Sequence, residues 1–128
     1  MIYTTGYTGK QPDDLKSLVK RLDVVLVDIR FLPRSRWQPH WNKSALQQML
    51  GGRYVHVREL GNKQFRQNAI NIADLERGIA IIETLALQRP VILMCACADY
   101  QHCHRHVVAE ELGIRGREVE ELESWAAS

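Results

Sequence analysis

The residues best equipped for chemistry crowd into one stretch, Cys95-Ala96-Cys97-Ala98-Asp99-Tyr100-Gln101-His102-Cys103-His104-Arg105-His106. It holds every cysteine of the chain and three of its five histidines. On an extended strand Cys95 and Cys97, two residues apart, face the same side. Cys103, His104 and Arg105 fall at the start of a predicted helix, where free N–H groups and the helix dipole favour an anion. The same field, with Arg105 and the imidazoles, lowers a thiol's pKa. Cys103 is therefore the first expected thiolate and Cys97 the second, while Cys95 sits inside an apolar run and is expected to be inert. Arg105 adds a planar fork suited to phosphate or carboxylate. Three functional readings follow: a nucleophilic or redox thiol, a zinc site from Cys95, Cys97, Cys103 and one histidine, or an anion cradle in which the thiols are incidental. Plain packing of strand cysteines stands beside them. The spacing C-x-C-x5-C-H is not a usual zinc-finger or ribbon spacing, so no metal is expected. Nor does it match the loops of phosphatases and sulfurtransferases, because Arg105 comes eight residues after Cys97 and two after Cys103.

A second set of polar residues lies at the ends of other predicted strands. Asp28 closes an apolar run and is followed by Arg30. A buried carboxylate there needs a partner, as a general base that orients Arg30 or His56, or as a structural ion pair. His56 ends a strand and serves a ligand or a structural hydrogen bond. Arg30, Arg34 and Arg36 suit phosphate, and Ser35 between them suits an anion or a turn. Trp37 and Trp41 flank Pro39 in this basic loop, where aromatics either stack bases or anchor the loop to the core.

Alternating patterns predict the elements that position these groups. Residues 2–5 form a β-branched run ending at Gly6. Pro12 opens a helix with Leu15, Leu18, Val19 and Leu22 on one face. Residues 24–30 are a nearly continuous apolar run, as in a strand buried on both faces. Residues 31–41, with Pro33 and Pro39, should be irregular. Asn42 can cap a helix carrying Leu46, Met49 and Leu50, which Gly51-Gly52 stops. Residues 54–57 read as a strand and 61–71 as a polar loop. Asp74 can cap a helix with Leu75, Ile79, Ile82 and Ala86 inside. Residues 91–97 form the second long apolar run, followed by a helix over about 103–112 and a last strand at 118–122. The order β-α-β-α-β-α-β-α-β predicts an α/β fold: a mostly parallel sheet of about five strands with helices on both faces. Ligands of such sheets sit outside the carboxyl ends of the strands. Asp28, Arg30, His56, Cys97, Cys103 and Arg105 are thus expected to converge on one pocket there.

A chain of 128 residues fits a single domain spanning 1–128. With 45% hydrophobic and 25% charged residues it has the make-up of an ordered globular domain. No apolar run approaches the roughly 18 residues of a membrane span, and no signal-peptide pattern opens the chain. The odd, clustered cysteines suit a reduced, cytoplasmic protein without a native disulfide, with a Cys97–Cys103 bond open to it under oxidation. Residues 29–68 hold eight lysines and arginines against one acid, Glu59, a local net charge of +7. From Ala109 onward six glutamates face Arg115 and Arg117. The basic middle favours an anionic partner.

Several motifs together carry a resemblance: Thr5-Gly6, Asp28-Ile29-Arg30 with Pro33 and Ser35, Tyr54-Val55-His56, Leu60-Gly61, and Cys95 with Cys103-His104-Arg105. The chain resembles the DUF488 family of small, functionally uncharacterised bacterial and archaeal proteins over most of its length. The resemblance implies an α/β fold with a pocket at these blocks. It also implies a Cys-x-Glu strand before Cys-His-Arg, and here the glutamate position is Cys97. Two functions emerge. One is an enzyme on a phosphate- or nucleotide-like substrate, with Cys103 or Cys97 reactive, Arg30 and Arg105 (with Ser35) binding the anion, and His56, His104 and Asp28 handling protons or orientation. The other is a non-catalytic module for nucleic acid or a phosphorylated ligand, using the same arginines with Trp37 and Trp41. No cofactor is specified by either.

Overall fold

The two long apolar runs become the strands at the heart of the sheet. In the computed structural model, which describes residues 1–67 and 69–126, β2 (Val25–Asp28) and β4 (Val91–Cys95) are buried at every position. With β1 (Ile2–Gly6), β3 (Tyr54–His56) and β5 (Val119–Glu121) they form one sheet in the order β3-β2-β4-β1-β5. All four pairings are parallel, as the strand–helix alternation predicts.

Strand alternation divides the core between two faces. Val25, Val27 and Leu93 point to one face, against Ile79 and Ile82 of α3 (Leu75–Ala86) and Val108 and Leu112 of α4 (His104–Ile114). Leu26, Ile92 and Met94 point to the other, against Leu15, Leu18 and Val19 of α1 (Pro12–Leu22) and Leu46 of α2 (Lys43–Leu50). Local chemistry fixes where the helices begin. Pro12 starts α1, with Asp13 and Asp14 in its first turn and Lys20 and Arg21 in its last, complementing the helix dipole. The Asp74 carboxylate accepts the Arg77 N–H and caps α3. Asn42 precedes α2 without a side-chain cap; its Oδ1 accepts the Ser35 N–H at 2.6 Å instead and ties the basic loop to the helix start.

The strands stop earlier than the apolar runs suggest, and these early stops build the site. β2 ends at Asp28 rather than residue 30, because the Asp28 carboxylate turns back to accept the Arg30 N–H. β4 ends at Cys95 rather than residue 97. Tyr7 and Thr8 N–H groups take the carbonyls of Cys95 and Ala96, and the chain turns away from the ladder. Gly6 allows this turn, since a Cβ there would overlap the Cys97 carbonyl. Cys97 therefore lies beyond the end of the strand, with its thiol still beside those of Cys95 and Cys103. Helices following β1 and β2 cover one face and those following β3 and β4 the other, which opens a crevice where the loops after β2 and β4 diverge. Among the described residues, no helix is long and apolar enough to cross a membrane.

Candidate functional site

A cleft of about 1010 Å³ lies over the carboxyl ends of the strands. Its walls come from the loops after β1 (with Tyr7), β2 (from Arg30 to Trp37, without Pro33), β3 (Asn62, Phe65, Arg66, Ala69 and Ile70) and β4 (Ala96, Cys97, Gln101 and His102), and from His104 at the start of α4. Four arginines, Arg30, Arg34, Arg36 and Arg66, and two histidines, His102 and His104, line it, with no carboxylate among the described lining residues. Leu32, Trp37, Phe65 and Ile70, four of the large hydrophobic side chains left exposed, also line it, so its basic rim encloses apolar surface. Arg34, Arg36 and Arg66 are exposed and, among the described residues, form no salt bridge.

Arg30 is committed elsewhere. Its Nε and Nη2 donate to the two oxygens of Asp28 at 2.8 and 2.6 Å, and a further Nη2 bond reaches the Trp41 carbonyl at 2.7 Å. Its Nη1 donates to Tyr7 Oη at 3.2 Å. Asp28, fully buried, also accepts from Tyr54 Oη at 2.5 Å. Burial, and then the neighbouring Asp28 carboxylate, push the Tyr54 hydroxyl far above its usual pKa, so it stays a donor. Tyr7 stacks on Trp41 with ring centroids 4.5 Å apart, which closes the floor.

Two thiols lie beneath the cleft and the third opens onto it. Cys95 and Cys103 are both 1% exposed, whereas Cys97 is exposed and lines the cleft. Cys95 Sγ and Cys103 Sγ are 2.7 Å apart. Arg105 Nη1 donates to Cys95 Sγ at 3.2 Å. His104 Nε2 donates to the Ile29 carbonyl at 2.8 Å, so the neutral ring keeps a lone pair on Nδ1, 3.7 Å from Cys103 Sγ. Burial holds His104 below the usual imidazole pKa. Burial, then the Cys103 thiol, pushes the Cys95 thiol well up. For Cys103 the Cys95 thiol pulls down, but the Cys97 sulphur and burial together raise the pKa. Cys97 is drawn well below the thiol range, chiefly by the thiols of Cys103 and Cys95 and then, against burial, by the positive charge of Arg105.

Cys95, Cys103 and His104 bring donor atoms within 4.8 Å of one another. Two thiolates on one tetrahedral zinc, at about 2.3 Å each, stand about 3.8 Å apart. The two sulphurs stand 2.7 Å apart here.

A family model described as a domain of unknown function, DUF488, matches residues 15–112. The chain belongs to the DUF488 family. No curated protein matches it. The matched span of this DUF488 protein contains the Asp28-to-Ser35, Tyr54-to-His56 and Cys95-to-Arg105 blocks, and Thr5-Gly6 precedes it.

Of the residues expected to converge, Arg30 and Cys97 line the cleft, as do His104 and Ser35. Asp28 lies behind Arg30. His56 Nε2 donates to the Arg30 carbonyl at 2.7 Å, a structural hydrogen bond. Ser35 Oγ accepts the N–H groups of Trp37 and Gln38 at 3.2 Å and holds their turn. Cys103, expected as the activated thiol, turns its sulphur into the core, where the helix start cannot present it to a ligand. Arg105 is fully buried as well. Its Nε and Nη2 donate to Glu121 at 3.1 and 2.8 Å, and its Nη1 donates to the Cys97 carbonyl at 2.7 Å. It lines a smaller neighbouring cavity of about 530 Å³ and braces the turn that carries Cys97. Trp37 and Trp41 separate: Trp41 is buried against Tyr7, while Trp37 is 87% exposed.

Two features of this DUF488 protein were not read from its sequence. Arg66 and Phe65 join the cleft from the polar loop, which Asn62 folds through its bonds to Ala69, Gln64 and Asn71. His102 pairs with Asp99, Nδ1 to Oδ2 at 2.5 Å, and lines the cleft. The Asp99–His102 spacing was the available signal, since three residues is one turn of a tight helix.

Proposed function

We propose that this protein is a thiol-dependent enzyme acting on an anionic, nucleotide-like substrate, with Cys97 as its nucleophile. One observation carries the reading: the exposed cysteine opens onto a cleft lined by four arginines and no carboxylate among the described residues. A thiolate, rather than a thiol, attacks an electrophile, and the surroundings of Cys97 hold it in that form. Arg34, Arg36 and Arg66 take the anionic group, while Trp37 and Phe65 offer faces for a planar ring. Asp99 accepts from His102 Nδ1 and leaves Nε2 to exchange a proton with a leaving group. The exposure of Trp37 among arginines favours a second reading, a module that stacks a single-stranded nucleic acid without chemistry.

Alkylation of the reduced full-length chain by iodoacetamide separates the two. We expect Cys97 to be labelled first at neutral pH. Because its pKa is lowered, the thiolate is already present above that pKa. Its rate should therefore stay nearly flat from about pH 6 to 9, where a free thiol's rate climbs toward a pKa of about 8.5. Adenosine 5′-monophosphate, and inorganic phosphate more weakly, should slow this labelling. Protection by an oligonucleotide alone, with an ordinary thiol pH profile, would favour the binding module.

A further inference from the structure

Beyond their influence on the Cys97 thiol, the two buried sulphurs have no role in that reading. Cys95 Sγ and Cys103 Sγ stand 2.7 Å apart with His104 Nδ1 beside them. Neither is accessible to an oxidant, whereas Cys97 is exposed one residue beyond the Cys95–Ala96 step. We propose that the three cysteines form a redox relay, in which a hydroperoxide oxidises Cys97 and the oxidation passes inward to a Cys95–Cys103 disulfide, restoring the Cys97 thiol. The relay stands apart from the substrate reading, because its test reads sulphur alone.

The chemistry balances in three steps. The Cys97 thiolate attacks a peroxide oxygen, an S–O bond forms and the O–O bond breaks. Cys97 becomes a sulfenic acid, and the departing hydroxide takes up the proton lost by the thiol as water. The Cys103 sulphur then attacks the Cys97 sulphur. An S–S bond replaces the S–O bond, and hydroxide leaves and takes the Cys103 proton by way of His104 Nδ1. Finally the Cys95 sulphur attacks Cys103, the Cys97–Cys103 bond breaks with its electron pair going to Cys97, and the Cys95 proton follows it. In sum, two thiols and one hydrogen peroxide give one disulfide and two waters. The two-electron oxidation ends in the core, and the cleft keeps its thiol.

This differs from the Cys97–Cys103 bond that the sequence left open under oxidation. The sulphur of Cys103 faces Cys95, and that face decides where the disulfide rests. Closing it ties the end of β4 to the start of α4 and fixes the turn carrying Cys97 and His102.

The test treats the reduced full-length protein with one equivalent of hydrogen peroxide, blocks remaining thiols, and maps the peptides without reduction. Cleavage before Asp99 parts Cys95 and Cys97 from Cys103. The expected product is a Cys95–Cys103 disulfide with Cys97 blocked as a thiol. Cys97→Ser should slow disulfide formation by about tenfold or more, since a buried thiol meets peroxide poorly. Cys103→Ser should leave a Cys97 sulfenic acid that dimedone traps. The proposal fails if Cys97 proceeds to the sulfinic acid while Cys95 and Cys103 stay reduced. It also fails if the bond stays between Cys97 and Cys103, if Cys97→Ser changes nothing, or if all three thiols resist until a chelator is added. The Cys97→Ser change is on an exposed side chain, so folding does not confound it.

Discussion

Asp28→Ala should lower folding stability by about 3–5 kcal/mol, the cost of leaving a buried ionic partner uncompensated. The reason is the company the carboxylate keeps. It receives two guanidinium bonds and the main-chain N–H from Arg30, and the Tyr54 hydroxyl as well. Without it Arg30 remains charged in a site where it is only 8% exposed, and Tyr54 Oη loses its acceptor. A domain of this size is stable by roughly 5–15 kcal/mol, so the loss should appear as a large fall in the urea midpoint. The Asp28→Leu, Arg30→Met double variant should regain much of it, because both charges then leave the interior together. Equal loss in the single and double variants would show that shape, not charge pairing, sets the cost.

Arg105→Met should destabilise by about 2–4 kcal/mol, somewhat less because the Glu121 carboxylate it abandons reaches some water. The variant removes the donors to Glu121 and to the carbonyls of Cys97 and Ala98. It also unties β5, an edge strand of three residues, from α4. The turn bearing Cys97 should loosen, so hydrogen exchange over residues 96–99 should rise more than over the distant helix α2. A fall in stability with unchanged exchange in that turn would remove Arg105 from the positioning of Cys97. Arg105, read from sequence as part of an anion cradle, is thus paired within the scaffold.

The parallel order of the sheet was legible because β2 and β4 are uninterrupted apolar runs and Pro12 and Asp74 mark helix starts. The location of the cleft was legible too, since it lies over strand ends that carry the unusual polar residues. Which of them face a ligand was not. Asp28 and Arg30 are two residues apart in the chain, yet the arginine folds back on the carboxylate rather than toward solvent. Cys103, the first expected thiolate, is buried, and Cys97, the second, is the exposed one, because β4 ends two residues early and the start of α4 turns the Cys103 sulphur inward. Those outcomes depend on how Arg105 and Gly6 hold the 96–98 turn, contacts with the start of α4 and with a segment roughly 90 residues away that no local pattern records.

Cys97, read as a thiolate, faces an arginine-lined cleft. The most direct test of that reading compares two alkylating agents of similar size, anionic iodoacetate and neutral iodoacetamide, at Cys97 of the reduced protein and of the same chain unfolded in urea. Positive potential concentrates anions, so the ratio of iodoacetate to iodoacetamide rates should be several-fold higher in the folded protein. It should fall with added salt, and it should fall again in Arg34→Ala and Arg66→Ala. A ratio equal to or below that of the unfolded chain, unmoved by those substitutions, would contradict the account.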